Sequence, residues 1–327
     1  MTKKKNGQSR EMYNSTLKNA FIRQYSNNEF TIRNIVSFFR AISKYEYMAG
    51  KDMCTMSADE LNAALDKVLP LSSTTRRTTL LLIKSYINFC IEAGVSGVDA
   101  NVIDSLRGRT GEDKIRSQMV ASPAELQKVL NEFLDPEAQF TMDNVYRCFF
   151  WFAYSGMPQA LIKDIKASNV DFTHKIIVID DTEYPIYKEE LPALNNIVTL
   201  NQFVYHHPKY ARVMERDRYD SDNIMRGIKS DFNPKTASTA IAHKILAAEE
   251  RGKKVKNLSY YRTYMSGMFY RIYRNERIGK LMTIVNLYGK DIITGNKVKR
   301  ADAVYKQNMY SDYISWKDAF DLWKEGK

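Results

Sequence analysis

The chain has 327 residues, 44% of them hydrophobic and 27% charged, with 49 Lys and Arg against 38 Asp and Glu and a formal net charge of +11. Such a length suits about two domains with cores of their own. The cationic excess favours a polyanionic partner, nucleic acid before membrane, although a soluble basic surface explains the charge alone equally well. No apolar run reaches the roughly 18 residues that a membrane span needs; the most apolar stretch, CFFWFAYSGM, lies between Arg147 and Pro158.

The first residues, MTKKKNGQSR, have charge but no apolar run behind them, so no secretory signal is expected and the reading is a protein of the bacterial host cytoplasm, associated with the nucleoid. Cys54, Cys90 and Cys148 are odd in number and widely spaced, as reduced thiols of such a compartment are. His174, His206, His207 and His243 have no ligand spacing, so no metal and no cofactor is expected.

From Glu11 to Gly94 the pattern is helical. TIRNIVSFFRAISKY places Ile32, Ile35, Phe38, Phe39 and Ile42 on one face. SADELNAALDKVL opens with Ser57 and has Glu60 three residues on, a capping box. SSTTRRTTLLLIKSYINFCIEAG lines up Leu80, Ile83, Ile87 and Ile91 and stops at Gly94. These segments predict a small helical bundle over residues 1–104.

Periodicity fades in SLRGRTGEDKIRSQ, which reads as a linker over 105–120. A second domain, 121–327, follows. SPAELQKVLNEFL carries a second capping box, Ser122 with Glu125, and Pro123 at the first helical position. Met142 to Ala153 is a further helix. HKIIVIDDTEYPIYKEE is the one strand pair expected, Ile176–Ile179 and Tyr184–Tyr187 around a DDT turn. Three helical segments complete the chain, and the polar region 205–233 reads as loop with a short helix. The fold class is mainly α with a small β-hairpin, in two domains.

SSTTRRTTLLLIKSYINFCIEAGV, FAYSGMPQALIKDIKASNVDF and NLSYYRTYMSGMFY, in this order, resemble the tyrosine recombinase (phage integrase) family. They are similar to the last helix of its core-binding domain and to its first and second catalytic boxes. The resemblance implies a core-binding domain and a catalytic-like domain, with DNA as partner. It also implies a chemistry of a tyrosine nucleophile surrounded by cationic donors. Carried over, the first arginine falls on Pro158 and the acidic residue after it on Leu161. The hairpin lysine has no counterpart among Asp180, Asp181 and Glu183. The second box reads Ser259 to Arg262, keeping the arginine and losing the histidine. Lys290 stands near a later histidine position, and Tyr305 in the nucleophile segment, with Tyr310 and Tyr313 close by. No enzyme activity is expected of such a set.

Binding is expected to outlast cleavage. Arg77 and Lys84 fall on one side of their helix, with Arg76 on the other margin of the apolar stripe; they face phosphates or cover the rim of the core. Lys253, Lys254 and Lys256 precede Arg262, which anchors a phosphate or pairs internally with a hairpin acid. Arg271, Arg274 and Arg277 form a phosphate stripe or an exposed face. The reading is a sequence-specific repressor of transcription that maintains phage lysogeny on operator sites in double-stranded DNA. An active divergent recombinase and a recombination accessory or architectural protein are the alternatives. Trp316, Phe320 and Trp323 give the last helix an apolar face that docks on its own domain or on a second copy, and a regulatory protein or peptide is a further partner class.

Overall fold

Asn28 begins the longest helix by accepting the Thr31 N–H at 3.0 Å, and Gly50, at φ +67°, ends it in the left-handed region that suits glycine. In the computed structural model, which describes residues 11–71, 73–107, 111–135, 141–206, 212–275 and 302–322, this is α2 (Glu29–Ala49). It packs with α1 (Ser15–Tyr25), α3 (Ala58–Val68) and α4 (Ser73–Glu92). The chain divides into two compact units, Met1–Ile115 and Arg116–Lys327. No described helix is long and apolar enough to cross a membrane, and no described group of His, Cys, Asp and Glu could hold a metal ion.

The first unit follows the sequence pattern closely. Ile35, Phe39 and Ile42 are buried, with Ile32 and Phe38 half-buried. The Ser57–Glu60 capping box forms in both directions. One register detail is corrected: Ile91 is exposed, and the inner stripe of α4 is Leu82, Ile83, Tyr86, Ile87 and Cys90. The two cysteines nearest this core, Cys54 and Cys90, are buried and free.

A charged network lies inside this bundle. Lys18, fully buried, donates to Glu46, equally buried, and lies 3.9 Å from Asp52. Its ammonium also sits 5.3 Å from the Phe39 ring centroid. Glu46 accepts the Met53 N–H at 2.9 Å, and the Tyr86 hydroxyl donates to Asp52 at 3.0 Å. Burial pushes the Glu46 carboxyl upward, an effect that Lys18 opposes. Removing one member strands a buried charge, at a cost of about 3 to 5 kcal/mol. Lys18→Met should therefore lower urea stability of the first unit by about that much, and Lys18→Met with Glu46→Gln should restore part of it.

In the second unit α6 (Pro123–Phe133), α7 (Met142–Tyr154), α8 (Leu191–Thr199), α9 (Pro234–Glu250) and α10 (Tyr260–Asn275) surround one core; a short α5 (Glu112–Arg116) runs up to the division between the units. Every α7 residue from Asp143 to Tyr154 is buried. A last helix, α11 (Asp302–Ala319), buries Tyr313 and Trp316 against Phe269 of α10. Its apolar face is thus covered within its own chain; Phe320 is half-buried, and Trp323 lies outside the described residues.

Strands β1 (Val170–Asp171), β2 (Ile176–Ile179) and β3 (Thr182–Pro185) form an antiparallel sheet in that order. Ile179 pairs with Thr182, so Asp180 and Asp181 alone make the turn, at φ +47° and +61°. Aspartate tolerates the left-handed pair that such a hairpin demands. The expectation of a single hairpin is corrected by β4 (Gln202–His206) and β5 (Val213–Asp217), a second antiparallel ribbon. β5 is exposed along most of its length, so it has no alternation of apolar residues to read. The rest of the 205–233 region is organised by two arginines. Arg218 donates to the carbonyls of Ile197 and Leu200 at 2.7 and 2.9 Å, and Arg226 to Asn201 at 2.9 Å.

Glu190, just before α8, is fully buried, and burial raises its carboxyl to about 8. Between about pH 4.5 and 8 the folded chain then holds a proton that the unfolded chain has released, so stability falls as pH rises through that window. The melting temperature of the second unit should decline across it, and Glu190→Gln should flatten the decline in a thermal-melt series against pH.

Candidate nucleic-acid interface

In α4 the neighbours Arg76 and Arg77 part company. Arg77 and Lys84 are exposed and have no ion-pair partner among the described residues. Leu81, 57% exposed, and Asn88 lie between and beyond them on the same outer face. Arg76 instead is 0% exposed: Nη2 meets Asp66 at 2.8 Å and Nε donates to the Arg107 carbonyl at 3.0 Å. Its assignment to DNA is corrected, because a guanidinium enclosed this way is spent on the interior of its own unit. A second set escaped the sequence reading. Arg33, Arg40 and Lys44 recur along the outer face of α2, and among the described residues only Arg33 has an acid within ion-pair distance, Glu29 at 3.6 Å, both well exposed. The signal was available as cations in steps of seven and four, two turns and one, opposite the apolar face.

In the second unit the two recombinase-like boxes meet. The close approach of α10 to the end of α7 requires Gly267, where a Cβ would stand 1.9 Å from the Tyr154 carbonyl oxygen. Tyr260 of α10 donates to the Met157 carbonyl, one residue before Pro158. Gly156, at φ +91°, leaves room for Arg271, whose Nη2 would be 2.6 Å from a Cβ there. Arg271 reaches inward to the Tyr154 carbonyl, so it does not belong to an outward phosphate stripe. Pro158 is exposed and leads into a single tight helical turn, Gln159–Asp164. Ser259 accepts the Arg262 N–H at 3.3 Å and its carbonyl accepts the Thr263 N–H at 3.0 Å, as a helix-capping residue does.

Arg262 is half-buried. Nη1 donates to the Asn257 carbonyl at 3.0 Å, and no described carboxylate lies within ion-pair distance, so the alternative of a pair with a hairpin acid is not realised. Burial lowers its pKa without a countercharge, which leaves a partly desolvated cation able to accept an anion. Lys254 is exposed, with no ion-pair partner among the described residues, and Lys253 donates to the Glu132 carbonyl at 3.0 Å. Lys256 is corrected as a DNA contact: it pairs with Glu125 at 2.7 Å, donates to the Met119 carbonyl at 3.0 Å and covers the Phe320 ring. Arg274 is exposed; Arg277 and Lys290 lie outside the described residues, as does the side chain of Tyr305 on α11.

The three-stranded sheet has the opposite charge. Asp180, Asp181 and Glu183 are exposed at its hairpin, and Asp171 pairs with His174 at 2.6 Å, which raises the imidazole and lowers the carboxyl. Phosphate contact is disfavoured there, whereas the outer faces of α2 and α4 and the surroundings of Lys254 and Arg262 can take it.

Residues 12–92 match the family described as MrpR, N-terminal core-binding domain. No curated protein matches the chain. Among solved structures, a Tn1549 transposon integrase in complex with circular intermediate DNA is similar at 10% identity and a TM-score of 0.38, covering 91% of this chain and 99% of that one. The family match lies within the N-terminal unit and, as a match to a core-binding domain, supports the resemblance to the tyrosine recombinase family.

Proposed function

We propose that the chain is a sequence-specific DNA-binding repressor of transcription, built on a recombinase scaffold that no longer cuts DNA. The observation that carries this reading is the set of exposed cations, Arg40, Lys44, Arg77 and Lys84, on the outer faces of α2 and α4 within the region that matches a core-binding domain. Phosphate contacts supply affinity and register, and side chains beside them on the same face, Leu81 and Asn88 on α4, are of types that read base edges. The chain resembles the master repressor of SP-beta-type temperate phages, and silencing of a prophage is the corresponding role. A self-associated form on paired operator sites fits the same role.

Absence of cleavage rests on chemistry. Pro158 has no group to donate to a phosphate, and Ser259 is engaged in capping α10. One lost oxyanion donor alone costs about 3 to 4 kcal/mol of transition-state stabilisation. A nicked suicide substrate should therefore trap no covalent adduct with the wild type, and Tyr305→Phe should bind DNA as the wild type does. An adduct that disappears in Tyr305→Phe would revive the recombinase reading.

Genome-wide mapping of binding sites separates a repressor from an architectural factor: promoter sites support the first, an attachment locus alone the second. In titrations against salt, Arg77→Ala, Lys84→Ala, Arg40→Ala and Lys44→Ala should each flatten the log-log slope by about one unit. Arg76→Ala should instead lower the stability of the first unit, with the slope unchanged. Slopes unchanged from the wild type in all four surface variants would remove these helices from the interface.

A further inference from the structure

The segment with which the second unit begins, Arg116 to Ala121, has its polar backbone groups taken up one after another. The Ser117 carbonyl accepts the Asn257 N–H at 2.9 Å, the Met119 carbonyl accepts Lys256 at 3.0 Å, and the Val120 carbonyl accepts Trp316 Nε1 at 3.1 Å. The Val120 N–H donates to Ser266 Oγ at 3.2 Å, and the Ala121 N–H to Glu125 at 2.6 Å. Arg116 completes the set, donating to the Ala319 carbonyl at the end of α11 and lying 3.3 Å from Asp321. Two of these fastenings, Trp316 and the Ala319–Asp321 corner, come from the C-terminal helix.

The first unit holds its own end of the connector in the same manner. The Arg107 N–H donates to Asn62 at 2.8 Å, and its carbonyl accepts Arg76, which Asp66 holds in turn. The stretch that joins two fastened ends therefore runs only from Arg107 to Arg116.

We propose that α11 is a strap: docked, it supplies two of the fastenings that hold residues 116–121 to the second unit, and its release loosens that segment and so lengthens the connection between the fastened ends of the two units. The strap is graded for release. Trp316 is fully buried, but the Arg116–Asp321 pair at its end is 44% and 63% exposed. Exposed pairs of this kind contribute little, so the end opens at low cost while the indole still holds the middle. Regulation would follow on the reading proposed above, in which both units engage one duplex. A longer connector lowers the effective concentration of one unit at its part of the site once the other has bound.

Hydrogen exchange of the full chain, without DNA, tests the strap independently of that reading. Trp316→Phe keeps an aromatic ring and removes the donor to Val120. It should speed exchange of residues 116–121 and of α11 together by about tenfold, the equivalent of one hydrogen bond. α7 should stay as protected as in the wild type, and trypsin should cut after Arg116 sooner. A chain ending at Tyr313 should show the same pair of changes more strongly. Unchanged exchange at 116–121 in a truncated chain whose α7 remains protected would overturn the proposal, as would faster exchange of α7 in step with 116–121 in Trp316→Phe. Coupled exchange in a protein that binds no DNA would uphold the strap and dismiss the repressor.

Discussion

Contact between the main chains of α7 and α10, closed at Gly267 against the Tyr154 carbonyl, sets the arrangement of the second unit. Any side chain at that position would force the helices apart. With them in contact, Tyr260 reaches Met157, Arg271 reaches the Tyr154 carbonyl beside Gly156, and Phe269 meets Trp316 of the last helix. The small residues of a motif that otherwise reads as catalytic are therefore required by packing alone. Pro158 itself, where a donor is expected, is exposed, while the short helix it opens is anchored in the core by Ile162.

Cations in this chain divide by their phase relative to the apolar stripe of their helix. Arg76 lies a turn before Leu80 and two turns before Ile83, in step with the buried face, and Lys18 lies one turn before Phe21 and Ile22; both end up enclosed with a carboxylate. Arg77 and Lys84 are out of step and remain in solvent. A charged residue in phase with a core stripe is more simply read as a buried pair than as a surface contact, since its stem and head have nowhere else to go.

That rule marks what could be read beforehand and what could not. Local chemistry made α3, its capping box, the Asp180–Asp181 turn and the stop at Gly94 after α4 legible, because each is fixed by a few adjacent residues. The core-binding unit was legible for the same reason, through four periodic helices. The partners of Arg76 and Lys256 were not, since Asp66, the Arg107 carbonyl and Glu125 are brought in by tertiary packing. The β4–β5 ribbon was hidden by its exposure, which leaves the strand without a pattern. Gly267 did leave a trace: a glycine inside a helix costs about 1 kcal/mol against alanine, and such a position invites the question of what comes close.

Interior ion pairs also decide where the surplus charge resides. Lys18 with Glu46, Arg76 with Asp66 and Lys256 with Glu125 each withdraw one charge of either sign. Such pairs leave the net charge of +11 unaltered and hand all of it to the remaining groups. Arg218, buried, donates to the Ile197 and Leu200 carbonyls, so its guanidinium is held inside the second unit and away from the surface. The hairpin acids work the other way, collecting negative charge at one edge of the three-stranded sheet and leaving the rest of the surface more positive than the mean. With a screening length of about 8 Å at physiological salt, separate patches act on their own. On the function proposed above, a phosphate backbone would respond to the local rows on α2 and α4 and, separately, to the surroundings of Arg262.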